Sequence, residues 1–491
     1  MAQSREERRN HRQLMVAQAR PTERFARHAV DLRYEDLPPT LVELLKQCVL
    51  DTLGVAIAAT TLAPEAPMVL DYVEELGGKE VATIWGYGRK APPAWAVFVN
   101  GSLGHMVDYD DVGAGGHVSI VTIPVALAVA EQLGGVTGRE FLTAIAAGTD
   151  IHTRLNAGIK IPDWTIAEGW FPTQLFGYIS GTATAARLYG AGVETMEDAF
   201  GIAFTQLAGS RQMAVGRSTH LRSMQAGFSG QGAVTAAELA RRGIVGSREV
   251  LEGRYGLFKT YVRTDPDWDA MLCGLGHEFP ILGLHGFKVW PACGYTRATN
   301  TAIRELREKH GIRPADVESI TVIGGSGATQ LLSEPLERKR RPQLAIDGKF
   351  SIPFTSAVMM VKGNVTLRDY TNEGLRDPEV LAMADKVTYR IDPSSELPVG
   401  GYSSLSRPTV EIRTRDGGIY SCKPAGVPGD PDHPVSDDLL EAKFRDCVSF
   451  SATPIPPENI DRAIALIRNL EDLSDVTEIV RLLVPARSTQ R

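Results

Sequence analysis

The strongest constraint on this chain is a change of periodicity that occurs twice. From Pro38 to about Leu284 the apolar residues fall at helical spacing. Between about Gly286 and Pro431 they gather into short β-branched runs, and beyond Pro431 the helical spacing returns. A chain patterned this way builds a helical body from both of its ends and carries a smaller unit between them. The expected fold class is therefore mainly α with α+β, a large helical domain interrupted by a smaller α+β domain. The expected division is an N-terminal extension over 1–21, a first helical segment over 22–285, an α+β lid over 286–431 and a helical return over 432–491.

Within the first helical segment, helices are predicted over 40–61 with Thr40 as N-cap, and over 92–105, 122–133, 173–188, 196–208 and 230–242. Many of the 48 glycines fall inside these stretches. Interior glycine weakens a helix, so it is expected to serve close helix–helix contact or approach to a small ligand. In the inserted unit, strands are predicted over 319–323, 386–391, 409–414 and 419–422. The last two flank Arg415-Asp416-Gly417-Gly418, a hairpin signal. Helices are predicted over 298–310, 437–448 and 460–469.

Charge narrows the partners. There are 52 basic and 59 acidic side chains, a net of −7, which argues against nucleic acid as the principal partner. The one dense basic run, Arg338-Lys339-Arg340-Arg341, reads as a solvated loop. No uninterrupted apolar run reaches the ~18 residues of a membrane span. The cysteines (Cys48, Cys273, Cys293, Cys422, Cys447) form no CxxC pair, which suits a reducing compartment. The arginine-rich N-terminus is followed by no apolar segment, so a signal peptide is not expected and a cytoplasmic location is.

The densest cluster of chemistry runs from Gly101 to Ser119 and holds His105, Asp108, Tyr109, Asp110, Asp111 and His117 around a glycine loop. Carboxylate beside imidazole is what proton abstraction needs. A divalent-metal site and plain helix termination with a core histidine are the competing readings. A second cluster, Lys288-Val-Trp290-Pro-Ala-Cys293-Gly-Tyr-Thr-Arg297, lies where the two patterns meet. Lys288 and Arg297 there are placed to hold a carboxylate. Cys293 reads more readily as a small buried residue than as a nucleophile. Gly169-Trp170-Phe171-Pro172-Thr173 opens a helix whose N–H groups would suit an anion. Thr219 to Gly227 contributes Arg222 as a carboxylate ligand, with Gln225 and a surface histidine, His220. Arg154 reads as structural. The run Gly324-Gly325-Ser326-Gly327 lacks GxGxxG spacing and is set aside.

On these residues the sequence resembles the MmgE/PrpD family, which includes 2-methylcitrate dehydratases, cis-aconitate decarboxylases and iminodisuccinate epimerases. The matching pieces are Asp108-Tyr-Asp-Asp111 with His117, Gly169-Trp170 before a helix, Met196 to Ala203, Lys288-x-x-Pro291-x-Cys293 and Lys443-Phe444. The resemblance spans roughly 22–484. It implies a homodimer, a site between the domains, no metal or organic cofactor, and carbanion or enolate-like chemistry next to a carboxylate. It also implies that His117 is the base, Asp108 its acidic companion, and Lys288 the cation that stabilises charge. Trp170, Phe171, Tyr109, Gln225, Cys293, Arg222 and Arg297 are the expected substrate-binding residues.

The chain departs from the family at several proton-transfer positions. Phe171 stands where many members carry a histidine, Arg222 where a lysine is common, Gln225 and Cys293 where histidines occur, and Phe354 where a tyrosine does. The expectation is a cofactor-independent lyase of a small di- or tricarboxylic acid, with dehydration leading. Epimerisation comes next, then decarboxylation of a cis-aconitate-like acid. A member that only binds carboxylates, and a larger or less polar substrate, are the remaining alternatives.

Overall fold

The structure is a computed structural model that describes residues 20–113, 115–159, 169–214, 219–326, 329–395 and 407–484. Most of the N-terminal extension, and Gly327 of the discarded glycine run, lie outside them.

The helical body contains α1 (Pro21–Asp31), α2 (Pro39–Leu62), α3 (Pro93–Met106), α4 (Ser119–Leu133), α5 (Gly138–Ala157), α6 (Pro172–Leu188), α7 (Val193–Phe204) and α8 (Leu221–Ala240). Their glycines let backbones touch. A Cβ on Gly101 of α3 would lie 3.1 Å from the backbone of Ala226 and Gly227 in α8, and one on Gly227 would lie 2.3 Å from Phe98 O. The expectation of tight helix–helix contact is met here.

Two short antiparallel ladders pair β1 (Ala82–Ile84) with β2 (Arg89–Ala91) and β3 (Val112–Gly113) with β4 (His285–Gly286). The α+β unit is built on a four-stranded sheet of β5 (Val317–Gly324), β6 (Val387–Ile391), β7 (Thr409–Thr414) and β8 (Ile419–Cys422), in the order β6-β5-β7-β8. β5 pairs parallel with β6 and antiparallel with β7. Helices α9 (Thr296–His310) and α11 (Ile352–Lys362), the latter just after the short α10 (Ala345–Lys349), accompany the sheet. Ile303, Ile320, Val322, Phe354, Val358 and Ile412 lie in a core of their own.

The chain then returns through α12 (Asp437–Val448), α13 (Pro457–Arg468) and α14 (Thr477–Leu482) to the first core, which Phe444, Cys447, Ile464 and Ile479 join. Gly54 of α2 receives Phe444 so closely that a Cβ there would lie 3.0 Å from its ring. The architecture is thus mainly helical with a separate α+β core, as the two changes of periodicity imply. Among the described residues no helix is long and apolar enough to cross a membrane.

Some local expectations change. Pro38, not Thr40, caps α2, because Pro39 supplies the pre-set φ of a first helical residue. The basic run is not a solvated loop. Leu336–Arg340 is a helical turn, and Lys339 donates to Leu331 O and Phe350 O, both at 2.6 Å, while Arg340 donates to Val387 O. Carbonyls left open at the sheet edge and at α10 recruit these cations.

Candidate active site

Helix α3 ends at Met106, and Asp108 follows in a left-handed turn at φ +49°, a conformation that short polar side chains tolerate best. That turn separates three neighbouring carboxylates. Asp108 accepts from Lys288 Nζ at 2.6 Å, and the same ammonium donates to Asp108 O at 3.0 Å. Asp110 lies between two histidines, with Oδ1 2.9 Å from His105 Nδ1 and Oδ2 2.7 Å from His117 Nδ1. Asp111 turns the other way, to Ser119 Oγ and, at 3.0 Å, to His285 Nε2.

Two short contacts fix this loop. Val112–Gly113 (β3) pairs antiparallel with His285–Gly286 (β4), which brings the Lys288 segment alongside. His117 N–H donates to Thr173 Oγ1 at 3.0 Å, tying the loop to the first turn of α6. The helix N-terminus that suited an anion in sequence thus receives the His117 loop.

The hydrogen bonds also set the tautomers. Arg222 donates to His105 Nε2, so His105 carries its proton on Nδ1 and gives it to Asp110. Burial, Arg222 and His117 hold the His105 pKa down to about 4 against the pull of Asp110. Asp110 opposes its own burial: His105, His117 and Lys288 keep it well below the usual carboxylate range. His117 Nδ1–H donates to Asp111 O at 3.0 Å, with the ionised Asp110 Oδ2 2.7 Å away as its counter-charge, and this leaves His117 Nε2 as a base. Burial would raise Asp108 and lower Lys288, yet their pairing reverses both shifts. His117 and Arg222, each 9% exposed, are the most accessible members of a cluster otherwise at 2% or less.

The site therefore corrects the expected pairing. The Asp111 carbonyl and the Asp110 carboxylate, not Asp108, face His117 Nδ1, and Asp108 instead pairs with Lys288. Lys288 meets carboxylates at 2.6 Å and 3.8 Å, so it is already neutralised. Arg297 is not a substrate ligand either: it pairs with Asp430 at 3.0 Å and donates to Pro428 O. The remaining expected residues are engaged with neighbouring groups. Arg222 lies 4.7 Å above the Phe171 ring and 5.3 Å from that of Phe350, so Phe171 gives a π-face where a histidine was replaced. Gln225 donates to Arg222 O. Trp170 packs on Tyr261, and Tyr109 donates to Val289 O beneath Lys443. Burial raises the Cys293 thiol to about 11, which makes it a poor nucleophile. Arg154 is structural, bonded to Asp150 and to carbonyls of 271–278.

His105, Asp108 and His117 come close enough to share a metal ion, but cations already hold the donors: Arg222 takes His105 Nε2 and Lys288 takes Asp108. Two residues of the site, Lys349 and Tyr370, escape a reading of the sequence alone, and two more, His105 and Asp110, stand in the predicted cluster without a role of their own. His105 is one helical turn before Asp108, a signal present in the sequence. Asp110 is visible there but undistinguished from its neighbours. Lys349 and Tyr370 arrive from the α+β unit, and no spacing announces them.

The MmgE/PrpD N-terminal domain matches residues 23–269 and the MmgE/PrpD C-terminal domain residues 290–472. The chain is similar to the cis-aconitate decarboxylase-like protein oryM of Aspergillus oryzae, 26% identical over 479 residues covering 92% of this chain and 95% of that protein. It is similar to the cis-aconitate decarboxylase of Aspergillus terreus, 26% identical over 484 residues (93% and 94%). The human cis-aconitate decarboxylase is 24% identical over 473 residues, 94% of each chain. With both halves matched over most of the sequence, the chain belongs to the MmgE/PrpD family.

Proposed function

We propose that this protein is a cofactor-independent lyase that works on the carbon beside a carboxylate of a small di- or tricarboxylic acid, with dehydration as its reaction. The observation that carries this reading is the His105–Asp110–His117 arrangement, which leaves His117 Nε2 as the accessible base of a buried, cation-rich cluster.

His117 Nε2 removes the proton from that carbon. The charge left behind spreads into the carboxylate, where nearby cations stabilise it. The hydroxyl on the adjacent carbon then leaves, taking the same proton from the imidazolium, and the products are an alkene and water. One histidine serving both steps suits a site whose other proton-transfer positions are Phe171, Arg222, Gln225 and Phe354.

A second reading is favoured by the names of the relatives, which are cis-aconitate decarboxylases. Loss of CO2 leaves a carbanion that must gain a proton, so His117 has to begin as imidazolium. The two reactions therefore need opposite starting forms of the same imidazole.

Proton NMR in D2O with 2-methylcitrate, citrate, cis-aconitate, iminodisuccinate, malate and citramalate tests the proposal. Alkene signals from a hydroxy acid support dehydration. CO2 release from cis-aconitate selects the second reading, and deuterium entry with neither product selects epimerisation. A panel without exchange or product sinks the lyase reading.

A further inference from the structure

Buried cations in this protein are nearly all neutralised by carboxylates. Lys46 pairs with Glu43 and Glu471, Arg154 with Asp150, Lys288 with Asp108, Arg297 with Asp430 and Lys443 with Asp51. Among the described residues, only Arg222 and Lys349 are buried cations with no carboxylate within ion-pair distance. Both border the same site.

We propose that Lys349 is a substrate-binding residue which forms, with Arg222, a two-cation clamp for two carboxylates of the acid. This deepens the lyase reading and rests on its choice of site, not on which reaction the site runs. Lys349 ends α10 and is 3% exposed. Among the described residues its ammonium donates only to Met106 O, at 3.4 Å, and lies 5.5 Å from the centre of the Tyr370 ring. The Tyr370 hydroxyl is buried and has no partner among the described residues. Cys293 N–H donates to Lys349 O at 3.1 Å, which anchors the residue to the Lys288 segment. Its neighbour Phe350 lies beneath Arg222.

The charged groups around Lys349 are Asp108, Asp110, Glu65 and Lys288, with Tyr370 alongside. The carboxylates among them are already engaged: Asp108 by Lys288, Asp110 by the two histidines, and Glu65 by Ser223 and His220. An ammonium removed from water without a counter-ion is unfavourable, and a ligand carboxylate removes that penalty. A small acid bearing at least two carboxylates can meet both cations, and one bearing a single carboxylate cannot.

The test is calorimetric binding of citrate and of propionate to wild type, Lys349→Met and Lys349→Arg. Lys349→Met should weaken citrate by about 10–100-fold and leave propionate unchanged, with Lys349→Arg intermediate. The unliganded melting temperature of Lys349→Met should hold or rise, since a buried unpaired charge is removed. Burial lowers Lys349 to about 8, so wild-type citrate affinity should fall above that pH while that of Lys349→Met does not. Equal citrate affinity in wild type and Lys349→Met, an equal loss for propionate, or no citrate binding to wild type would each overturn the clamp. The D2O panel is read separately: citrate affinity that depends on Lys349 without turnover leaves the clamp standing and removes the lyase reading.

Discussion

Asp110 and Asp111 are consecutive, fully buried and each bonded to histidine, yet they belong to different worlds. Asp110 serves His105 and His117, one of which keeps an accessible nitrogen, beside cations that lack anions. Asp111 serves His285, whose Nε2 is shared with Cys48 at 3.3 Å, and its N–H donates to Asp51, which Lys443 neutralises. The second cluster holds α2, the loop and the C-terminal return together. A buried histidine–carboxylate pair is thus no mark of catalysis by itself. His285 also keeps an unpartnered nitrogen, Nδ1, so what sets the first pair apart is its setting: His117 is 9% exposed, against 4% for His285, and stands near buried cations that no carboxylate neutralises.

The largest expected effect divides these two carboxylates. Asp110→Asn should cut kcat by about 10²–10⁴ with little change in melting temperature, because Asn no longer supplies the charge that stabilises a protonated His117. Equal activity would end the assignment of roles. Asp111→Asn should do the reverse, lowering unfolding free energy by about 3 kcal/mol while folded enzyme keeps most of its kcat, as denaturant titration and kinetics on the same sample would show.

A smaller effect concerns the surroundings of His117. His152 lies behind the loop with both ring nitrogens unpartnered, and burial, aided by His117, lowers it to about 3. It stays neutral in the fold while the unfolded chain takes up a proton below its ordinary value of 6.5, so stability falls as pH drops from 6.5 toward 3. His105 adds to this loss down to about 4, and Asp51, raised to about 6 chiefly by burial, opposes it. His152→Leu should therefore remove about 2 kcal/mol of the loss between pH 7 and 5; an unchanged pH slope in urea titrations would contradict it. The smallest effect belongs to the Cys293 thiol. Cys293→Ala should change kcat by less than about threefold, and a large loss in steady-state kinetics would restore the thiol as a participant.

Much of the fold was legible because its signals are local. β7 and β8 run from Thr409 and Ile419 as the alternation indicates, and α12 spans the predicted 437–448. Helix starts were less legible where packing overrides propensity: α8 begins at Leu221, nine residues before the predicted 230, because Arg222 and Gln225 are drawn into the site. At the site, residue types were readable and partners were not. Asp108 and Asp110 differ by one dipeptide, and only the left-handed turn at Asp108 decides which carboxylate meets His117. Lys349 comes from 241 positions beyond Asp108, a juxtaposition that only the assembled domains create.

The tiny ladder of β3 with β4 has a further consequence. Because Gly113 meets Leu284 and His285 through backbone, at a distance a Cβ would reduce to 2.3 Å from Leu284 O, the spacing between the His117 loop and the Lys288 segment is set by backbone contact and not by the side chains around the site. Phe171, Phe350 and Cys293 stand outside that ladder. Under the proposed function, substitutions at these residues should alter which acid binds without moving the His117 loop against the Lys288 segment, so substrate preference and proton transfer should be separable by mutation.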